Sequence, residues 1–245
     1  MRALVTGGTK GIGKAVTLEL ASSQASVLIN YLADETAAAE TATEARAAGG
    51  DARLIRADAC SAEGALLVAD AARAELGALD LVVHCAVTPA NGSALDTDAD
   101  VFRQSIERNG LSLLWLVRAC ADLLQPGASI VFLTSGGSSR AVPNYAPLGV
   151  AKAVAEALVR YLAAELAPRG VRVNCVSSGA VDTAALRAVM PEVADQFLAD
   201  SARRNPSGRA LSTADVARVV ALLASPGAAM IQGQILRVDG GLGLI

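Results

Sequence analysis

Short apolar runs of strand length alternate along the chain with longer stretches whose apolar residues recur at helical spacing. The runs fall at 3–5, 26–30, 53–56, 79–84, 129–134, 172–176 and 234–238, and the helical patterns at 14–22, 34–48, 61–76, 98–124, 147–166 and 213–223. Buried strands alternating with helices predict a doubly wound α/β fold, a seven-stranded parallel sheet flanked by helices. Gly49-Gly50, Gly77, Gly127 and Gly170 stand where helices should end, as C-cap glycines do. One stretch departs from the alternation. Residues 184–208 follow a strand but outlast a simple connection and contain Pro191, Pro206 and Gly208. They are expected to form either a substrate-binding lid or a surface excursion of short helices.

No linker or repeat interrupts this pattern over 245 residues, so residues 1–245 are expected to form one domain. Hydrophobic residues make up 53% of the chain and aromatics 3%, so the core must be built from Ala, Val, Leu and Ile. The net charge of -3 supplies no basic surface for nucleic acid. Mean hydropathy is positive, yet no apolar stretch approaches the ~20 residues of a membrane helix. Met1 to Val5 lead directly into a strand, with no room for a secretory signal, and a cytoplasmic protein is expected. Cys60, Cys85, Cys120 and Cys175 are widely spaced with no histidine at ligand spacing, which predicts reduced thiols and no metal site.

The first strand ends in Thr6-Gly7-Gly8-Thr9-Lys10-Gly11-Ile12-Gly13, and a helix follows from about Lys14. Glycines at this strand-to-helix turn let a pyrophosphate approach bare backbone and meet a helix N-terminus, the dinucleotide site of a Rossmann fold. The second strand ends Asn30-Tyr31, where an NAD-preferring protein would place an acid against the ribose 2′-hydroxyl. With that acid missing and Lys10 in the glycine loop near a 2′-phosphate position, the sequence points to NADPH. A solvated loop lysine is the plainer reading of Lys10.

The spacing Gly7, Gly11, Gly13 resembles that of the short-chain dehydrogenase/reductase family, and the resemblance runs through essentially the whole chain. It implies that Asp58 and Ala59 contact adenine, and that Gly179, Val181 and Thr183 border nicotinamide and pyrophosphate. Cys85 and Ala86 would belong to the cofactor-facing loop, although His84-Cys85-Ala86-Val87 replaces the family's usual Asn-Asn-Ala-Gly. It also matches Ser135, Lys152 and Asn109 to the family's catalytic serine, lysine and asparagine. The sole histidine, His84, is expected to be a packing residue substituting for a structural asparagine.

The family's Tyr-x-x-x-Lys pattern would place tyrosine at position 148, which is Leu148. The nearest tyrosine is Tyr145, separated from Lys152 by six residues, the spacing of bacterial enoyl-acyl-carrier-protein reductases. Pro147 suits a first helical turn, so Tyr145 should stand ahead of the helix and Lys152 in its second turn. Asn144-Tyr145, Gly149-Val150-Ala151-Lys152-Ala153, Ser178-Gly179-Ala180-Val181-Asp182-Thr183 and Val238-Asp239-Gly240-Gly241 further resemble the NADPH-dependent third type of that reductase. The resemblance implies reduction of an enoyl thioester, carried by acyl-carrier protein or coenzyme A. Tyr145 would stabilise the enolate, Lys152 would hold the ribose and lower the tyrosine's pKa, and Ser135 would support Tyr145. Asn109 would be structural or hold a water. A homodimer or homotetramer is also implied, with Trp115 and the 155–166 stripe on core or subunit faces. A ketoreductase and a non-catalytic cofactor-binding scaffold are the alternatives; four intact candidate residues weigh against the scaffold.

Overall fold

The computed structural model describes residues 1–244. Seven strands, β1 (Arg2–Thr6), β2 (Ser26–Tyr31), β3 (Asp51–Arg56), β4 (Leu79–His84), β5 (Leu124–Ser135), β6 (Arg172–Ser178) and β7 (Ile235–Val238), form one sheet in the order β3-β2-β1-β4-β5-β6-β7. Every pairing is parallel. The fold is the expected single-domain, Rossmann-type α/β architecture.

Strand alternation divides the core into two layers. Leu4, Leu28, Val82, Ile130, Phe132 and Val173 face one layer. It is covered by α3 (Ala62–Leu76), α5 (Ser112–Cys120) and α6 (Ala146–Leu166). Val5, Val27, Ile29, Val83, Val131 and Val176 face the other, beneath α1 (Gly11–Ser22), α2 (Glu35–Ala47) and α9 (Thr213–Ala224). Helices on both faces hide the whole sheet, which is why its strands read as continuous apolar runs. The strand order reverses between β1 and β4, and their carboxyl ends open a crevice where such folds bind ligands.

The long helical pattern at 98–124 is not one helix. It forms α4 (Ala99–Ile106), a π-helical turn at Glu107–Leu111 and α5, and residue 124 already belongs to β5. The wide turn has a tertiary cause. The Asn109 side chain accepts from the Thr88 amide at 2.8 Å and donates to the Thr88 carbonyl at 3.0 Å, tying the helix to the loop after β4. Gly127 also differs from expectation. It lies inside β5, with φ +90°, and donates to the Gly170 carbonyl at 2.8 Å instead of capping a helix. Residues 184–208 contain two helices, α7 (Ala184–Val189) and α8 (Ala194–Arg204). No helix among the described residues is long and apolar enough to cross a membrane.

Candidate active site

A cavity of about 380 Å³ opens at the carboxyl edge of the sheet, and its wall brings together most residues singled out in the sequence. Gly7, Thr9, Lys10, Gly11, Ile12, Gly13 and Tyr31 form one side, Cys85 and Ala86 the floor, and Gly179, Val181 and Thr183 the far edge. Ser135, Tyr145 and Lys152 line the remaining side.

The glycine turn is built so closely that side chains cannot enter it. Gly7 has φ +60°, and a Cβ there would lie 2.9 Å from the Ala86 Cα. A Cβ on Gly13 would collide with the Gly7 carbonyl oxygen. The helix that follows is bare at its start. Asp34 caps α2, Ser61 caps α3 and a Ser212–Asp215 capping box closes α9, whereas α1 has no side-chain cap. Uncapped amides over a glycine cradle suit the pyrophosphate of a nicotinamide dinucleotide. Gly7, Gly11, Ile12 and Gly13 would hold it there.

Four expected site residues lie off the cavity wall. Asn30 is buried, donating to the Ala57 carbonyl at 2.9 Å and accepting from the Gly7 amide at 3.4 Å, so it braces the glycine turn from behind. Asp58 pairs with Arg108 at 2.8 Å and accepts from the Cys60 amide, and Ala59 is buried beside it. Asn109 holds Thr88, as described. Lys10 does line the cavity, but its Nζ lies 2.5 Å from Asp34. That carboxyl is held below its ordinary range by the Ala37 amide and by Lys10.

Tyr145 is the residue immediately ahead of α6, and Pro147 and Lys152 follow in its first two turns, as the proline predicts. Its phenolic oxygen is 3.0 Å from the Ser135 Oγ at the end of β5. Burial raises the phenol above its ordinary pKa, and the Ser135 hydrogen bond partly offsets that rise. The expected lowering by Lys152 is not seen: the Lys152 ammonium turns to the Leu133 carbonyl at 2.8 Å and lies 4.4 Å from the centre of the Phe132 ring. Burial pushes Lys152 down to about 8. Leu148, at the family's usual tyrosine position, is buried on the wall and offers no proton.

His84 is outside the wall and fully buried. Its Nδ1 is 2.6 Å from the Thr6 hydroxyl and its Nε2 is 3.0 Å from that of Ser112, which suits a neutral ring with one donor and one acceptor. Burial, then the Lys152 charge, pushes it down to about 3. The neighbouring Cys85 thiol, on the cavity floor, is pushed up to about 12 by burial.

Several wall residues carried no sequence signal. Arg140 and Val142 come from the loop after β5, and Leu186, Met190 and Phe197 from the 184–208 segment. Being apolar, or isolated in a loop, they form no motif.

The chain's relatives agree with this geometry. A family model described as enoyl-(acyl carrier protein) reductase matches residues 7–243. The chain is 34% identical over 242 residues to the 1-cyclohexenylcarbonyl-CoA reductase of Streptomyces collinus, covering 99% of this chain and 86% of that protein. It is 34% identical over 195 residues to the NADH-designated enoyl-(acyl-carrier-protein) reductase FabI of Enterococcus faecalis, covering 78% and 77%. The crystal structure of a single-residue variant of the actinorhodin polyketide ketoreductase with NADPH superposes with a TM-score of 0.89 at 27% identity, covering 100% of this chain and 97% of that one. The chain therefore belongs to the short-chain dehydrogenase/reductase family, resembles its enoyl reductases, and is a nicotinamide-dependent oxidoreductase.

Proposed function

We propose that the protein uses NADPH to reduce the carbon–carbon double bond of an enoyl thioester linked to coenzyme A or an acyl carrier protein. The observation that carries this reading is the phenol of Tyr145, ahead of α6 and bonded to Ser135, while apolar Leu148 fills the usual tyrosine position. A ketone takes hydride at the carbon bearing the oxygen to be protonated. An enoyl thioester takes it at the β-carbon, and negative charge gathers on a more distant carbonyl oxygen. A phenol set back from the usual position suits the second case.

Bound NADPH supplies the hydride. Tyr145 would then donate to the thioester oxygen as enolate charge develops, a hydrogen bond that strengthens towards the transition state and so accelerates the step, and the enolate would take up a proton from solvent at its α-carbon to give the saturated thioester. A tyrosine phenol is protonated at neutral pH, as a donor must be, and burial pushes it further that way. Ser135 holds the phenol in place, and the Lys152 ammonium would hold the nicotinamide ribose. Lys10 would leave Asp34 to meet the 2′-phosphate, and the absence of an acid at Asn30-Tyr31 favours the same cofactor. Asp58 and Ala59, just past the end of β3, would serve the adenine end. The 184–208 segment closes over the acyl chain through Leu186, Met190 and Phe197. Self-association into a dimer or tetramer through the outer faces of α5 and α6, where exposed Tyr161 stands, belongs to the same reading.

The test sets NADPH and NADH oxidation with crotonyl and acetoacetyl thioesters side by side, with Tyr145→Phe as the variant. Crotonyl thioester should consume NADPH, and the variant should lose roughly 10²–10³ in kcat while binding the cofactor normally. Preferential turnover of the acetoacetyl thioester would replace this reading with a ketoreductase. The likeness to the actinorhodin enzyme favours that second reading.

A further inference from the structure

Glu156 lies on α6 one turn beyond Lys152, facing inward and only 7% exposed. An ionised carboxylate in that position costs free energy unless it is well hydrogen-bonded, and an apolar residue would pack there at less cost. Its partners are hydroxyls. Thr134 Oγ1 donates to Glu156 Oε1 at 2.6 Å, and Ser138 Oγ lies 2.5 Å from the same oxygen. Thr134 and Ser138 bracket Ser135, one residue before it and three after, and the Ser138 hydroxyl is also 2.8 Å from the Ser135 carbonyl.

The turn these hydroxyls anchor carries the candidate donor as well. A Cβ on Gly137 would come within 2.5 Å of Cδ1 and Cε1 of Tyr145, so the aromatic ring rests directly on this bare backbone. A Cβ on Gly149 would lie 2.6 Å from the Gly137 carbonyl oxygen, so the turn is also wedged against the start of α6. Fixing residues 134–138 therefore fixes both the Ser135 hydroxyl and the surface beneath Tyr145.

We infer that Glu156 is a positioning residue for the Ser135–Tyr145 pair, acting through Thr134 and Ser138 and touching neither substrate nor cofactor. This rests on the assignment of Tyr145 and Ser135 under the proposed reaction. A residue that acts through Ser135 loses its effect once the Ser135 hydroxyl is gone, whereas one that only supports the fold does not.

The experiment is a double-mutant cycle of Glu156→Ala and Ser135→Ala, with Glu156→Gln as the conservative variant, each in complex with NADPH. Two quantities are read: kcat on whichever thioester the unaltered protein reduces, and the phenol titration of Tyr145 by NMR of ring-labelled tyrosine. Glu156→Ala should lower kcat about tenfold. It should lower it no further in the Ser135→Ala background, and Glu156→Gln should restore most of the loss. NADPH affinity should stay within about twofold throughout, because the glycine cradle is untouched. The Tyr145 phenol should titrate at higher pH in Glu156→Ala, since the Ser135 bond lowers it, and this rise should vanish when Ser135 is already Ala. Independent, additive losses in kcat or an unmoved titration would overturn the inference. If neither thioester is turned over, the proposed reaction fails, while the titration still decides the role of Glu156. Should Glu156→Ala not fold, Ser138→Ala removes one of the two anchoring hydroxyls and enters the same cycle.

Discussion

The two sides of the cavity are made of different material. The dinucleotide side is backbone: Gly7 and Gly13 sit where a single methyl group would strike Ala86 or the Gly7 carbonyl, and buried Asn30 braces the turn from behind. The opposite side is side chain. Tyr145, Ser135 and Leu148 face the cavity there, backed by the Glu156 hydroxyl anchors and joined by apolar residues from α7 and α8. A backbone wall accepts one shape of ligand and tolerates little substitution. A side-chain wall can be recut one residue at a time, so one scaffold serves both the enoyl-thioester and ketone reductions named among its relatives.

Gly13→Ala should break the contrast most severely. Its methyl group would strike the Gly7 carbonyl and press on the Gly8 Cα, backbone that cannot step aside, and overpacking of this kind costs about 1–3 kcal/mol. Calorimetry should show a lowered Tm, and fluorescence titration a loss of NADPH binding of roughly a hundredfold or more as the cradle opens. Retained affinity would mean that the cradle yields, and the contrast between the two walls would fall. Lys10→Ala should act on one subsite only. It should weaken NADPH about tenfold with little change in NADH, since only the former has a phosphate for the ammonium to meet. An equal loss for both cofactors would reassign Lys10 to a structural tie with Asp34.

At neutral pH the smallest effect belongs to the layer behind both walls. His84 titrates at about 3 in the folded protein against 6.5 in the unfolded chain, so between these values the unfolded state binds the extra proton. Stability from the neutral ring is thus complete above about pH 6.5 and is lost as pH falls towards 3, by up to about 1.4 kcal/mol per pH unit. His84→Asn should flatten the dependence of Tm on pH across that window. An unchanged slope would assign acid sensitivity to other groups.

The same difference in material governs how much the sequence discloses. Strands buried on both faces leave plain apolar runs, and glycines forced by close backbone contacts leave a spaced motif, so the sheet and the cradle are legible. Pro147 likewise announces the start of α6 and places Tyr145 ahead of it. What escapes is long-range. The break in the 98–124 pattern depends on Asn109 reaching Thr88, and the position of Asp58 on Arg108, 50 residues away. Glu156 reads as an acid in an apolar stripe, because its partners arrive from the end of β5 and the turn after it. The hold of the Leu133 carbonyl on the Lys152 ammonium is equally silent in the sequence, because that carbonyl comes from β5.

Cys85 has a consequence for chemical durability. It stands on the cavity floor, where oxidants and electrophilic metabolites could reach it, yet its ionisation at about 12 leaves roughly one thiolate in 10⁵ at neutral pH. Thiolates, not thiols, react with peroxide, disulfides and alkylating agents. Cys85 therefore adds a thiol to the site without adding a ready target for oxidants. Inhibitors designed to capture that cysteine should find it inert.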